Sequence, residues 1–186
     1  MTGATVLGHD SVAKAGGIWC LLFFRAPRHY QSQSKDGRVL VGTLVTMVEM
    51  QTVTRDIILA HCIQEYPLEA CGLLIGDEHR VLQAFPARNE ARSARVFVAD
   101  PQDVMHARES AVAQGLRVVG VYHSHTNSEA FPSPTDVAQA PDPSWWYVVV
   151  SLARPLAEMR CFVIKGGQVV EVQIGEAMTL SSGSQS

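Results

Sequence analysis

Residues 117–136 read RVVGVYHSHTNSEAFPSPTD, and this stretch says most about the fold. The valine-rich run 117–122 predicts a strand that ends at His123. A loop rich in Ser, Thr and Pro follows, and Pro134 suits the first position of a short helix over residues 134–140. The stretch therefore predicts a strand, a polar loop and a helix, with polar side chains collected at the end of the strand.

Two histidines at the end of this strand suggest a metal site. His123 and His125 are two residues apart, so both imidazoles point to the same side of the strand. Both can then reach one zinc ion, for which Zn–N bonds are about 2.0–2.1 Å. Asp136 brings back a carboxylate as a third ligand, and three protein ligands leave the fourth tetrahedral position for water, as in catalytic zinc sites. Hydrolysis also needs a base that carries a proton from the attacking water to the leaving amine, and a carboxylate is the usual choice. Glu69 is the candidate base, although no spacing argument places it near His123.

The same residues also have structural interpretations. Ser133 and Asp136 form an S-x-x-D capping box, with Pro134 at the first helical position, which explains both residues without a metal. The chain has 7 histidines in 186 residues, so a chance pair is unsurprising. Cys71 and His123 could be imagined as a thiol protease pair, but an apolar strand around Cys71 favours inert burial. The residues alone leave these alternatives open.

Outward from this stretch, the pattern predicts one α/β domain. Thr54 is expected to cap a helix that ends at Pro67, Asp100-Pro101 to begin a second that ends near Gln114, and Gly166-Gly167 to form a hairpin turn. One of Trp145 and Trp146 is expected in the core and the other in a substrate groove. The predicted strands are residues 71–76, 79–86, 95–99, 117–122, 145–152, 159–165 and 169–174. Their order with the helices, αβββαβ(α)βββ, indicates a mixed, mostly antiparallel sheet flanked by helices.

Composition narrows the class of protein. Hydrophobic residues make up 47% and charged residues 18%, enough apolar side chains for a packed core. The net charge is -3 and the 15 basic residues form no cluster, which argues against nucleic acid as a partner. The 4 scattered cysteines indicate reduced thiols and a cytoplasmic location.

The domain boundaries follow from local composition. The apolar run 18–24 is far shorter than the ~20 residues of a membrane span, so no membrane partner is expected. Residues 1–46 are predicted to be a poorly ordered extension, or the product of an upstream start codon, with Met47 and Met50 as alternative starts. Residues 47–178 are the predicted catalytic domain, and residues 179–186 a flexible tail.

The chain resembles the JAMM/MPN+ metalloproteases (the Mov34/MPN/PAD-1 family), whose signature is an upstream Glu and H-[ST]-H-x7-S-x-x-D. Glu69, His123-Ser124-His125, Ser133 and Asp136 match each fixed position at the family's spacing. The segments EACGLLIG (69–76) and VGVY (119–122) are similar to the family as well. The resemblance covers about residues 54–174, essentially the whole predicted folded region.

This resemblance implies a cytidine-deaminase-like MPN fold with one zinc ion per chain. His123, His125 and Asp136 would hold the zinc, Glu69 would be the general base, and Ser133 would hydrogen-bond the oxyanion. Thr126 stands where many relatives carry proline, so altered loop stiffness is expected, without loss of activity.

The chain has little room for insertions and resembles the minimal prokaryotic branch of the family. That branch implies hydrolysis of a peptide or isopeptide bond after the Gly-Gly tail of a small ubiquitin-like sulfur-carrier protein, for example to release cysteine. A homodimer is left open. The alternative is a non-catalytic interaction module with a structural metal. A hydrolase of small amides or of nucleic acid is a third alternative, and the absence of a basic cluster disfavours the nucleic acid.

Overall fold

The structure is a computed structural model that describes residues 47–176. The expectations for residues 1–46, including the apolar run 18–24 and Cys20, and for the tail after residue 176 lie outside these residues. The elements are β1 (Met47–Met50), α1 (Thr52–Glu65), β2 (Cys71–Gly76), β3 (Arg80–Ala87), α2 (Pro101–Ala113), β4 (Arg117–His125), α3 (Pro134–Gln139), β5 (Trp146–Ser151), β6 (Glu158–Lys165) and β7 (Gln168–Glu176).

The described strands form a single sheet in the order β1-β3-β2-β4-β5-β6-β7. Because β1 also pairs with β7, the order closes on itself as a barrel. The pairs β1–β3, β1–β7 and β4–β5 are parallel, and the other four are antiparallel. The predicted mixed α/β domain, with a mostly antiparallel sheet and helices around it, is confirmed.

Two apolar clusters bury the sheet on both faces. Along β5, Trp146 and Val148 belong to the first cluster and Tyr147 and Val149 to the second, as expected when alternate side chains point to opposite faces. The first cluster includes Ile58 and Cys62 of α1, and the second includes Ala107 and Ala111 of α2. Burial on both faces explains why β2 and β5 are continuous apolar runs and not alternating ones.

The predicted strand at residues 95–99 is wrong. This segment makes only an isolated bridge, between Asn89 and Ala99. Val96 is 42% exposed, whereas Phe97 points inward and stacks against the ring of His123. The alternation of apolar residues here comes from this inward aromatic side chain, and the segment is not paired as a strand. Conversely, β1 was not predicted, because its four residues are too few to show a pattern.

The helix ends are partly as predicted. Thr54 does not cap α1: the N-cap is Gln51 and it makes no side-chain cap bond. Thr54 is buried inside the helix and donates its hydroxyl to Leu82 O of β3 at 2.8 Å. Asp100 does cap α2, accepting from the backbone N–H groups of Gln102 and Asp103. The hairpin at Gly166-Gly167 is confirmed, and both glycines have positive φ, as a type I′ turn requires.

Three further expectations concern the cysteines, the tryptophans and membrane-spanning helices. Cys62, Cys71 and Cys161 are free and buried, as predicted. Trp145 and Trp146 are both buried, as expected of the one assigned to the core; that the other lines a substrate groove stays a prediction. Among the described residues, no helix is both long enough and apolar enough to span a membrane.

Replacing Thr54 with alanine tests the bond that ties α1 to β3. The variant leaves the partly buried Leu82 carbonyl without this donor, so we expect the free energy of unfolding to fall by about 1–2 kcal/mol. Urea denaturation of the metal-free protein measures the change. Thr52→Ala in the same helical turn is the control, since Thr52 is exposed and should change stability by less than about 0.5 kcal/mol. Equal effects of the two variants would contradict the assignment.

Candidate metal centre

The C-terminal end of β4 carries the two histidines. His123 pairs with Cys71 of β2 on one side and with Val149 of β5 on the other. Both neighbouring strands are buried, and His123 and His125 are themselves only 2% and 5% exposed. The predicted strand end is confirmed, except that β4 continues through both histidines.

Three ligand atoms converge at this strand end. Nε2 of His123 lies 3.1 Å from Nε2 of His125, and each of these nitrogens lies 3.4 Å from Oδ2 of Asp136. Two ligands of a tetrahedral zinc ion with bonds of about 2.0–2.1 Å are separated by about 3.3–3.4 Å. The triangle therefore has the dimensions of one face of a zinc coordination tetrahedron, and the residues fit the ion.

The surroundings fix the orientation of both rings. Nδ1 of His125 lies 2.9 Å from the carbonyl oxygen of Glu129 and donates to it, which leaves Nε2, on the side of Asp136, as the nitrogen that can bind a metal. The ring of His123 stacks on Phe97, with centroids 4.6 Å apart and an interplanar angle of 23°. Nδ1 of His123 is buried and has no hydrogen-bond partner among the described residues.

The capping box and the metal site share the carboxylate of Asp136. Oδ2 of Asp136 accepts the backbone N–H of Ser133 at 2.6 Å, and the hydroxyl of Ser133 accepts the backbone N–H of Asp136 at 3.2 Å. The oxygen that caps α3 is the same oxygen that faces both histidines. The two interpretations of Ser133 and Asp136 are thus compatible, because the cap orients the carboxylate towards the histidines.

Burial and mutual hydrogen bonds determine the pKa values of His123, His125 and Asp136. Burial opposes the charge on Asp136, but hydrogen bonds from His123 and His125 outweigh it and hold the pKa of this carboxyl far below its usual value. Burial lowers the pKa of His123. Burial also opposes the charged form of His125, but its bonds to Asp136 and the Glu129 carbonyl outweigh this and raise the pKa of His125. The carboxylate is therefore anionic and ready to bind a cation.

Glu69 lies beside this group of ligands. Its side chain is buried at the start of β2, and burial raises its pKa to about 7, with His125 lowering and Asp136 raising it. These influences mean that the carboxyl of Glu69 interacts electrostatically with both candidate ligands. The structure thus brings the candidate base to the candidate metal site, which the spacing of the sequence left open.

Cys71 is not part of a thiol protease pair. It lies opposite His123 in the sheet, but its Sγ points to Ala87 O and Arg88 O at 3.7 Å. Burial raises the pKa of this thiol to about 12, so it stays protonated and unreactive at neutral pH.

Several residues that support the site were missed in the sequence. The Ser124 hydroxyl accepts Ala70 N–H at 2.8 Å, and Thr126 donates its hydroxyl to Ala94 O at 3.1 Å. Asn89 donates to the carbonyl oxygen of Glu69 at 2.8 Å. These bonds join a side chain to a distant main chain, which leaves no periodic signal in a sequence. Thr126 thereby makes a contact that proline at this position lacks.

Comparison with known proteins defines the class. The chain matches the prokaryotic homologs of the JAB domain over residues 51–165. Because this match covers more than half of the chain, the protein belongs to that family, a prokaryotic JAMM/MPN family.

Individual relatives are similar over most of the domain. The chain is 36% identical over 134 residues to the CysO-cysteine peptidase of Mycobacterium tuberculosis (strain ATCC 25618 / H37Rv), covering 70% of this chain and 90% of that protein. It is 36% identical over 104 residues to the desampylase of Haloferax volcanii, covering 52% and 75%. A solution structure from Desulfitobacterium hafniense is 33% identical and superposes with a TM-score of 0.66 over 73% of this chain and 96% of that one.

Replacing Asp136 with asparagine tests the ligand set. The amide keeps an oxygen for the cap of α3 but loses the anionic charge, so we expect zinc affinity to fall on the order of 100-fold or more, since even outer-shell changes cost about 10–100-fold. Competition with a chromophoric chelator measures the affinity. Asp56→Asn, on the exposed face of α1, is the control and should bind zinc as the unmodified protein does. Unchanged affinity in Asp136→Asn would remove Asp136 from the ligand set.

Glu69→Gln should stabilise the metal-free protein at alkaline pH. Since burial raises the pKa of Glu69 from 4.5 to about 7, the folded state holds this proton more tightly than the unfolded state. Stability is therefore lost as pH rises from about 4.5 through about 7, and glutamine avoids that loss. We expect the variant to be more stable at pH 8 by about 1–3 kcal/mol, with the difference shrinking towards pH 5.

Urea denaturation at pH 5 and pH 8, with a chelator present, measures this difference. Glu78→Gln is the matched control, because the side chain of Glu78 is 78% exposed and its replacement should change stability by less than about 0.5 kcal/mol. A stability difference in Glu69→Gln that is independent of pH would contradict the burial argument.

Proposed function

We propose that the protein is a zinc metallopeptidase that hydrolyses a peptide or isopeptide bond after the C-terminal Gly-Gly tail of a small ubiquitin-like sulfur-carrier protein. One observation carries the proposal: the ligand atoms of His123, His125 and Asp136 form a triangle of tetrahedral dimensions, with the buried carboxyl of Glu69 beside it. A structural metal site would have no use for a fourth residue that holds a protonatable carboxyl next to the three ligands.

The chain's own groups divide the chemical work. A zinc ion bound by the three ligands supplies a Lewis acid and lowers the pKa of water to about 7. Glu69 accepts the proton from the attacking water and later delivers it to the leaving amine, as a general base and then a general acid. Its burial suits both steps, because burial raises the pKa of this carboxyl and so favours its holding the proton between the two transfers.

The hydroxyl of Ser133 is the candidate donor to the reacting carbonyl. Its oxygen accepts from the backbone N–H of Asp136, and its O–H lies beside the Asp136 carboxylate, whose pKa it lowers as a hydrogen-bond donor. We assign this donor to the oxyanion that forms when water attacks the carbonyl carbon. The capping box holds the hydroxyl oxygen in place beforehand, so only the O–H has to turn from the Asp136 carboxylate to the oxyanion.

The substrate class is supported by the names of the relatives. The Mycobacterium tuberculosis protein is a CysO-cysteine peptidase, and a Thermus thermophilus relative, 34% identical over 82 residues, is a probable TtuB-protein conjugate cleaving protease. Both names describe removal of a group joined to a named protein. We propose the same kind of reaction for the present chain: it cleaves the bond after a Gly-Gly tail, and cysteine or a lysine side chain is the leaving group.

Cleavage of defined fusions tests the proposal. The zinc-loaded protein is incubated with a ubiquitin-like carrier ending in Gly-Gly-Cys and with a lysine-linked conjugate, and the products are weighed by mass spectrometry. We expect cleavage after the second glycine of at least one substrate. Glu69→Gln should retain zinc and lose about 10²–10⁴-fold in kcat, the usual contribution of general acid–base catalysis. Glu78→Gln should cleave normally.

The same experiment separates the enzyme from a non-catalytic interaction module. A module would bind zinc and leave both substrates intact, and Glu69→Gln would be indistinguishable from the unmodified protein. That outcome would overturn the proposed function.

A further inference from the structure

The segment that was wrongly predicted as a strand is part of a loop that covers the site. Two backbone hydrogen bonds join the two ends of this loop, from Glu90 N to Val98 O at 2.8 Å and from Asp100 N to Arg88 O at 3.0 Å. We call residues 89–99 the 89–99 loop. From this loop Phe97 stacks on His123, and Ser93 O accepts the backbone N–H of Glu69 at 2.9 Å.

The side chain of Asn89 organises this loop. Its Oδ1 accepts the backbone N–H groups of Ala91 and Val98, both at 3.0 Å. Its Nδ2 donates to the carbonyl oxygens of Val96 at 3.2 Å and of Glu69 at 2.8 Å. These four bonds use both amide hydrogens and both acceptor positions. The partners also fix which atom is oxygen and which is nitrogen, because two are donors and two are acceptors.

The peptide groups on both sides of Glu69 are thereby anchored. Asn89 holds its carbonyl directly, and the loop that Asn89 organises holds its N–H through Ser93. The next N–H, of Ala70, is bonded to the buried hydroxyl of Ser124, the residue between the two histidines. The backbone of the candidate base is therefore fixed relative to β4 by one bond and relative to the 89–99 loop by two.

We propose that Asn89 is the positioning residue for Glu69. It does not touch the reacting atoms: it sets where the Glu69 carboxyl stands relative to His125 and Asp136. A shift of about 1 Å in a reacting group can cost on the order of 100-fold in rate, so a bond to the main chain of the base bears directly on turnover. This inference rests on the proposed function and deepens it.

Two variants test it. Asn89→Asp keeps the shape and the acceptor for Ala91 and Val98 but places an oxygen against the Glu69 carbonyl. Asn89→Ser is neutral, shortens the side chain and can still accept from Ala91 as a turn residue. We expect kcat to fall about 10–100-fold in both, the range found when a supporting hydrogen bond is lost. KM should change less than 2-fold, and zinc content should not change.

A double-mutant cycle distinguishes positioning from general loosening. If Asn89 acts through Glu69, then Asn89→Asp should lower the residual single-turnover rate of Glu69→Gln by less than about 2-fold, because the base is already absent. Equal losses in both backgrounds would overturn the proposal. Gln168→Glu is the matched control: it adds the same charge at the exposed β6–β7 hairpin, away from the site, and should leave kcat within about 2-fold.

Amide hydrogen exchange gives a readout that needs no substrate. In both Asn89 variants the N–H groups of Glu69 and Ala70 should exchange at least 10-fold faster, while those of Leu73 and Leu74 in β2 should not change. Unchanged exchange at Glu69 would overturn the proposal even if turnover falls. If the zinc-loaded protein cleaves no Gly-Gly fusion, the proposed function fails, and exchange alone then decides whether Asn89 anchors Glu69.

Discussion

The antiparallel pairing of β2 with β4, in the register that sets Cys71 opposite His123, determines where Glu69 lies relative to the two histidines. Because the strands run in opposite directions, the residues just before Cys71 lie beside those just after His123. Ser124 N–H donates to Ala70 O and the Ser124 hydroxyl accepts Ala70 N–H, so the pairing continues one residue past the strand. A slip of one residue would turn both histidines to the other face of the sheet.

The ligand set was predictable because it is local. His123 and His125 belong to one strand, and Asp136 returns in the helix that follows, so spacing and capping chemistry bring the three together. Glu69 was not predictable from spacing, since its place depends on which strands pair and in which register. The resemblance to a known family supplied that link. The error at residues 95–99 has a similar origin, because an alternating pattern is satisfied by Phe97 against His123 as well as by a strand.

Residues that support the site were the hardest to foresee. Asn89, Ser124 and Thr126 act through bonds between a side chain and a distant main chain, and a sequence shows these as ordinary polar residues. Thr54 illustrates the same limit, since a residue suited to capping a helix is used instead to hold α1 on β3. The spacing of apolar residues in a sequence predicts which side chains are buried. It does not predict which backbone group a polar side chain hydrogen-bonds.

The electrostatics of the site oppose its own stability. Two carboxyl groups, Glu69 and Asp136, are brought together where little water reaches them, and Asp136 disfavours the charge of Glu69. Bonds from His123 and His125 outweigh burial for Asp136, whereas His125 offsets it only in part for Glu69, whose pKa stays raised to about 7. A protein selected for stability alone would replace Glu69 with a neutral residue. Its retention beside a cation site is what a proton-transfer role requires.

X-ray absorption at the zinc edge of the loaded protein tests the central claim most directly. If zinc is held by His123, His125 and Asp136, the nearest atoms are nitrogen and oxygen at about 2.0–2.2 Å, with the outer-shell signature of two imidazoles. A sulfur neighbour at about 2.3 Å would place the ion on a cysteine, and a signal without imidazole would place it away from β4. Either result would contradict the assignment of this site.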